Sequence, residues 1–181
     1  ILICTMPNIT LVLGGTSSGK SLWAENFILM QSTQAIYVAT SLALDSEMEE
    51  KIALHKMRRG QQWTTIEEHL ALKRCLSNTT KKIPILVDCA TMWLSNLLME
   101  KKNILEESND LCQYLTMHKG QLVIVSNEVG QSIVPETEMG RLFQSAQGKL
   151  NQNLASIADT VVCITAGLPS VLKGNLDRLH S

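Results

Sequence analysis

The sequence predicts an α/β protein, a mainly parallel β-sheet covered by helices on both faces. Three observations predict it. Short apolar runs at residues 9–13, 35–39, 83–87, 121–126 and 160–165 alternate with stretches of helical period, the alternation that builds parallel sheets. The first run leads into Gly14-Gly15-Thr16-Ser17-Ser18-Gly19-Lys20-Ser21, and a helical stretch starts at Leu22 directly after it. The third run closes on a carboxylate, Asp88.

The octapeptide fits the pattern Gly, four residues, Gly-Lys-Ser/Thr, and strand, glycine loop and helix are the context that makes the pattern a phosphate-binding loop. Glycines let the backbone curl until successive N–H groups face phosphate oxygens, and the helix N-terminus adds partial positive charge. Lys20 is then placed to reach the β- and γ-phosphates, and the Ser21 hydroxyl to ligate Mg²⁺. A glycine turn with a chance Lys-Ser is the competing reading. With glycine near 7% of residues, such a match arises in roughly one chain in a hundred or fewer. Asp88, at the end of a buried strand, is placed to hold Mg²⁺ opposite Ser21; capping the next helix is its other reading.

The 181 residues suit one domain, at 45% apolar and 18% charged content, which makes the chain globular. We read residues 9–173 as a single nucleotide-binding catalytic domain, 1–8 as an N-terminal extension and 174–181 as a C-terminal tail, with no internal repeat. A net charge of -1 gives no overall attraction to nucleic acid or to anionic membrane. The five cysteines, Cys4, Cys75, Cys89, Cys112 and Cys163, are dispersed and show no metal-ligand spacing. They read as thiols in a reducing compartment. No apolar run approaches the ~18 residues of a membrane span, residues 1–6 lack the basic start of a secretory signal, and Met6 is a candidate start, so a cytoplasmic location is expected.

Along the chain, helix one carries Trp23, Phe27 and Met30 at i, i+4 and i+7 as a core stripe. The second strand ends at Ala39, and Thr40 and Ser41 follow. They read equally as rim residues beside the phosphate loop or as a helix-capping pair. A helix expected over residues 45–59 places Met48, Ile52, His55 and Arg59 on one face. His55 has two readings. One is a satisfied histidine on a packing face. The other is a neutral, nucleophilic imidazole whose pKa is lowered by Lys56, Arg58 and Arg59, a cation cluster suited to polyphosphate. A solvated basic helix end accounts for the same cations.

Trp63 to Glu68 is expected to open a helix running to about Cys75, with Thr65-x-x-Glu68 as its capping box; this gives Glu68 a structural task. His69 reads as a surface or core residue. Residues 77–82 form a polar loop, 90–101 a helix, and 101–109 the most polar linker, before a helix carrying Leu111 and Leu115. His118 reads as a cation at the end of that helix. The loop 127–135 is long and sits at a strand's C-terminal end, where loops tend to carry function. A helix over 136–158 is expected to turn Met139, Leu142, Phe143, Ala146, Leu150, Leu154 and Ile157 inward, with Arg141 off the stripe. Asn151-Gln152-Asn153 is unusually polar for a helix interior. Residues 160–165 read as the closing strand, and nothing after Gly167-Leu168-Pro169 carries a pattern.

Taken together, these segments resemble the bifunctional adenosylcobinamide kinase / adenosylcobinamide-phosphate guanylyltransferase family of cobalamin assembly. The resemblance runs from residue 9 to about 173. It is carried by Gly14 to Ser21, by Tyr37-Val38-Ala39-Thr40-Ser41, by Asp45-x-Glu47-Met48 and Lys51-Ile52-x-x-His55, and by Arg58-Arg59 with Trp63-x-Thr65-x-Glu67. It continues in Leu86-Val87-Asp88-Cys89-x-Thr91-x-Trp93-Leu94-Ser95-Asn96, in Ser126-Asn127-Glu128-Val129-Gly130, and in Gly148-x-x-Asn151-Gln152. The order and spacing of the segments make it specific.

The resemblance implies a P-loop NTPase fold and a homotrimer with its substrate site near subunit interfaces. It places the family's covalently guanylylated histidine on His55. It places the guanine-nucleotide contacts on the phosphate loop, Ala39, Thr40, Ser41, Lys56, Met57, Arg58, Arg59, Glu67 and Asp88. The sequence departs from the family at Ser17, where Arg is usual, at Ser132, where Gly is usual, and at Phe143-Gln144-Ser145, where Phe-Arg-Asp is usual.

Two reactions are then expected, with GTP and ATP as substrates, Mg²⁺ as cofactor, and adenosylcobinamide and its phosphate as partners. In the kinase step Lys20, Ser21 and Asp88 hold the nucleotide while the cobinamide hydroxyl attacks the γ-phosphorus. In the transferase step His55 attacks the α-phosphorus of GTP, pyrophosphate leaves, and the cobinamide phosphate takes the GMP. A phosphate loop presents the γ-phosphate while His55 needs the α, so the nucleotide shifts or the 45–59 helix moves between steps. An ordinary small-molecule kinase, a guanine-nucleotide switch (which would carry an Asn-Lys-x-Asp motif absent here) and a degenerate nucleotide binder are the competing readings.

Overall fold

The computed structural model describes residues 9–42, 50, 53, 57, 59–131 and 133–176. The described residues form seven strands, β1 (Ile9–Gly14), β2 (Ala35–Ala39), β3 (Trp63–Glu67), β4 (Ile85–Asp88), β5 (Leu122–Asn127), β6 (Thr160–Thr165) and β7 (Leu168–Lys173). The helices are α1 (Lys20–Leu29), α2 (Leu72–Asn78), α3 (Ala90–Met99), α4 (Ile104–Met117) and α5 (Glu138–Ile157), and residues 50, 53 and 57 are helical. Among the described residues no helix is long and apolar enough to cross a membrane.

The strands form one sheet in the order β3-β2-β4-β5-β1-β6-β7. Every pairing is parallel except β6 with β7. Alternate residues of the central strands feed two separate cores. Leu11, Val38, Val87 and Ile124 pack with α2, α3, α4 and α5 on one face. Val12, Tyr37, Leu86 and Val125 pack with Ala24, Phe27 and Ile28 of α1 on the other. A parallel sheet buried on both faces needs apolar side chains in both directions, which is why these strands appear as continuous apolar runs.

Several expectations are corrected. Residues 63–67 are a strand, hydrogen-bonded in parallel register to β2, because Trp63, Thr64, Thr65 and Ile66 are aromatic or β-branched and suit a pleated edge. There is no Thr65–Glu68 capping box. Glu68 instead accepts the N–H groups of Leu70 (2.9 Å) and Ala71 (2.8 Å) and so caps the entry to α2. Helix α1 ends at Leu29 and leaves Met30 61% exposed; Ala24 and Ile28 fill the place expected of it. Residues 104–109 of the expected linker are the opening turns of an amphipathic α4, with Ile104 packed on the core and Ser108 buried, started by Asn103 accepting the Glu106 N–H at 3.2 Å. In α5, Met139 and Leu142 are exposed while Gln147 and Asn151 are buried. β6 does not close the sheet. A two-residue turn at Ala166 (φ 51°) and Gly167 (φ 79°) returns the chain as β7, and Pro169 is tolerated there because β7 is an edge. His118 is buried beside Tyr114, its Nδ1 3.1 Å from the phenol oxygen. Burial and the Lys81 charge hold its pKa below the ordinary value, so it is no helix-end cation.

Candidate functional site

The sheet order sets the site. β5 lies between β1 and β4, with Gly14 level with Asn127 and Val125 level with Asp88. The phosphate loop and Asp88 are therefore separated at the rim by one strand tip. They still meet, because α1 leaves the loop and packs across β4 and β5 as well as β1 and β6. Asp88 follows Leu86 by two residues, and Leu86 faces α1, so the Asp88 side chain starts on the α1 side of the sheet.

The loop is braced from three sides. Gly14 sits where a Cβ would lie 2.7 Å from the Ile164 carbonyl oxygen and against Ser18. Gly19 adopts φ 91°, a conformation open to glycine, and the Ser18 carbonyl accepts the Gly167 N–H at 2.9 Å. Gly15, Thr16, Ser17 and Gly19 face solvent, Ser18 and Ser21 are half-buried, and Lys20 is buried. Lys20 Nζ donates to the Gly15 carbonyl at 2.9 Å, which bends the side chain back over its own loop. Burial lowers its pKa, and the nearby Asp88 charge opposes that shift.

Ala39, Glu67 and Asp88 end three neighbouring strands in register, Ala39 paired with both of the others. Thr40 follows, buried, and stitches β2 to β4. Its hydroxyl donates to the Cys89 carbonyl (2.8 Å) and accepts the Cys89 N–H (2.7 Å), while Asn96 Nδ2 donates to its carbonyl at 2.8 Å. The Thr40 side chain is thus tied into the rim's own architecture; the residues of the helix it was read as capping lie outside the described ones. Ser41 is half-buried beyond it. Cys89 accepts the Met92 N–H and caps α3; burial pushes its thiol up to about 12, so it is not a thiolate at neutral pH.

Asp88 accepts a hydrogen bond from the Tyr37 hydroxyl, 2.6 Å to Oδ2. The Tyr37 ring in turn carries the Arg59 guanidinium, whose Cζ lies 3.7 Å from the ring centroid, and Arg59 Nη1 donates to Thr65 Oγ1 at 3.2 Å. Met57 is 82% exposed. His55, Lys56, Arg58 and Ser132 lie outside the described residues.

Ser21 and Asp88 offer hard oxygen donors of the kind Mg²⁺ takes. No group of three or more His, Cys, Asp or Glu side chains forms a cage among the described residues, and Mg²⁺ binds in this manner, through one or two protein oxygens plus substrate phosphates. The residues fit the ion.

Comparison with known proteins decides the lineage. Residues 10–172 match the family described as Cobinamide kinase / cobinamide phosphate guanyltransferase. The chain belongs to that family. It is 40% identical over 167 residues to the bifunctional adenosylcobalamin biosynthesis protein CobP of Pseudomonas aeruginosa, covering 91% of this chain and 96% of that one. It is 32% identical over 179 residues to the bifunctional adenosylcobalamin biosynthesis protein CobU of Escherichia coli, covering 90% and 98%. Among solved structures, a type III secretion system ATPase (TM-score 0.53, 13% identity, 95% of this chain and 60% of that one) and the RadB recombinase (0.51, 15%, 87% and 74%) share the fold. The fold is that of the P-loop NTPases.

Of the positions at which the resemblance implies a departure from the family's usual residue, the structure gives two a setting. Ser17 is exposed at φ 56°. Gln144 Nε2 donates to the Val129 carbonyl at 2.9 Å, so a neutral side chain ties α5 to the loop after β5. That loop is also fixed from below by a buried polar cluster. Ser126 Oγ donates to Asn151 Oδ1 (2.6 Å), and Gln147 Nε2 donates to both (2.9 Å each). Asn151 Nδ2 donates to the Asn127 carbonyl (2.9 Å), and Thr91 Oγ1 accepts the Asn127 N–H (2.7 Å). Glu128 N–H donates to the Gly14 carbonyl at 3.0 Å, coupling this loop to the phosphate loop. Sequence reasoning named Tyr37 and Asn151 only as parts of the family resemblance and, for Asn151, as an oddity in a helix interior; it gave neither a role and passed over Gln147. The available signals were polar groups in segments otherwise buried, which demand partners.

Proposed function

We propose that this chain phosphorylates adenosylcobinamide with an NTP, and then transfers GMP from GTP to the resulting phosphate through a guanylyl-histidine at His55. Membership of the cobinamide kinase / guanyltransferase family supports the pair of activities. The observation that carries the site assignment is the convergence at one rim of Lys20, Asp88 and, through Tyr37, Arg59, the last residue of the basic segment that begins at His55.

In the first reaction the cobinamide hydroxyl attacks the γ-phosphorus, the bond to the β-phosphate oxygen breaks, and NDP leaves. Lys20 and the loop N–H groups hold the phosphates in line, catalysis by positioning and charge neutralisation. Ser21 and Asp88 would hold Mg²⁺, which supplies further charge neutralisation at the phosphates. In the second reaction neutral His55 attacks the α-phosphorus, pyrophosphate leaves, and the histidine carries GMP as a phosphoramidate. Attack by the phosphate of adenosylcobinamide phosphate releases the histidine and gives adenosylcobinamide-GDP. Ala39, Ser41, Lys56 to Arg59 and Glu67 belong to the nucleotide site in this reading. The homotrimer implied by the family resemblance, and the cytoplasmic location read from the dispersed cysteines and the lack of a long apolar run, belong to the same proposal.

The test is incubation with Mg²⁺ and GTP labelled at the α-phosphate, followed by denaturation, with His55→Ala alongside. Label that survives denaturation and base, is lost in acid and is missing from the variant is the expected result. Folded protein that binds GTP yet takes no label would overturn the transferase half and leave a kinase.

A further inference from the structure

Tyr37 occupies the middle of β2, a buried strand of otherwise apolar residues, and is 3% exposed. Packing alone would be served by Phe. A buried phenol has to find a hydrogen-bond partner, and this one donates to Asp88 Oδ2 at 2.6 Å, the short contact of a charge-assisted bond. The ring is locked as well. The Arg59 guanidinium lies on its face, and Trp63 meets it in a T-shaped contact with centroids 5.7 Å apart. The hydroxyl therefore cannot swing away from Asp88 without unseating two neighbours.

We propose that Tyr37 is a positioning residue for the metal side of the site: its hydroxyl holds Asp88 Oδ2 so that the remaining carboxylate oxygen is presented in one orientation to the cation that accompanies the nucleotide. This rests on the reading of Asp88 as a Mg²⁺ ligand. Carboxylates that bind metals are held by hydrogen bonds from outside the coordination shell, and removing such a partner typically weakens the metal by about 10–100-fold. Tyr37 meets that description from a different strand, two residues short of the rim, and its ring packs on Arg59 at the edge of the same site. One side chain thus links the carboxylate to the basic segment.

The experiment measures binding of a non-hydrolysable GTP analogue by calorimetry across a Mg²⁺ series, in the whole protein, Tyr37→Phe and Asp88→Asn. Tyr37→Phe keeps the ring, and so the seat of Arg59. The expected result is a Mg²⁺ midpoint raised by about 10–100-fold in Tyr37→Phe, with analogue affinity in the absence of Mg²⁺ unchanged. A merely structural tyrosine would lower the thermal midpoint and leave the Mg²⁺ midpoint where it is. If Asp88→Asn shifts the Mg²⁺ midpoint and Tyr37→Phe does not, the role of Tyr37 is overturned while the metal reading stands. If Asp88→Asn has no effect either, the metal reading falls and takes this inference with it. Neither result depends on whether His55 becomes labelled.

Discussion

Lys20 carries two constraints in one side chain. It is 8% exposed, and burial lowers its pKa against the opposing charge of Asp88, so its ammonium is less hydrated and more costly to keep charged than a surface lysine. Its bond to the Gly15 carbonyl holds it over the loop, where a phosphate oxygen would give a stronger, charge-assisted partner. Replacing it with Met removes that charge at nearly constant volume. Lys20→Met is expected to lower the NTP-dependent turnover roughly 10²–10³-fold, the usual cost of deleting one pre-organised donor to a transition-state oxygen, with secondary structure by circular dichroism intact. The pH dependence has a definite sign. Phosphate binds the charged lysine, so nucleotide affinity should fall as pH rises through a pKa lying below the ordinary lysine value, and this alkaline limb should be missing from Lys20→Met. An alkaline limb identical in the unmodified protein and in Lys20→Met would exclude Lys20 from the phosphate contact.

At the scale of elements, the cluster joining α3, β5 and α5 converts helix packing into a fixed loop. Ser126, Gln147 and Asn151 are each at most 5% exposed, and both backbone groups of Asn127 are satisfied by side chains of Thr91 and Asn151. Asn151→Leu keeps the volume but removes the acceptor of the Ser126 hydroxyl, one of the two acceptors of Gln147 Nε2, and the side-chain donor to the Asn127 carbonyl. Each orphaned buried group costs about 1–3 kcal/mol, and a chain of this size loses roughly 2–4 °C of thermal midpoint per kcal/mol. Gln152→Ala, one residue along and exposed, should stay within about 0.5 kcal/mol of the unmodified protein. A thermal scan comparing the two separates the buried network from general helix propensity; equal midpoints would refute it. The same cluster shows where sequence was legible and where it was not. β1, β4 and β5 are visible because both faces are buried and the apolar runs are unbroken. The helical stripe over α5 misleads, because Met139 and Leu142 extend it past the sheet into solvent while Gln147 and Asn151 take core positions that a count of apolar residues cannot see. Trp63 to Glu67 was misread because Thr65-x-x-Glu68 imitates a capping box and a five-residue edge strand has little periodicity to contradict it. β7 escapes for a related reason: Pro169 breaks the strand pattern, and the Ala166-Gly167 turn lacks the Asn or Asp that announces such hairpins. The phosphate loop and Asp88 were legible as local motifs. That a whole strand, β5, stands between them is a fact of topology, which no local spacing encodes.

The molecule as a whole divides its functions between the two ends of one sheet. Phosphate loop, Asp88, Thr40 and the loop after β5 crowd the C-terminal rim, as expected of open α/β sheets, whereas the opposite end only has to hold the layers together. His118 sits at that opposite end, between the close of α4 and the start of β5, 4% exposed, with Nδ1 against Tyr114 and Nε2 buried without a partner. Burial and Lys81 hold its pKa below the ordinary value, so the native state favours the neutral ring. The unfolded chain titrates near 6.5. Below that pH the unfolded state takes up a proton that the native state resists, so the neutral ring's contribution to stability is present above about pH 6.5 and is lost progressively as pH falls toward the lower native value. One proton limits the slope to about 1.4 kcal/mol per pH unit. His118→Gln cannot take up that proton, and its unfolding free energy should fall less steeply between pH 6.5 and 5 than that of the unmodified protein. Because the site lies at the far rim, nucleotide affinity at neutral pH should be the same in both. Urea unfolding at several pH values reads the first expectation and calorimetry the second. Parallel acid limbs would show that the whole-molecule pH response originates elsewhere, and an altered affinity would show that the two ends of the sheet are energetically coupled.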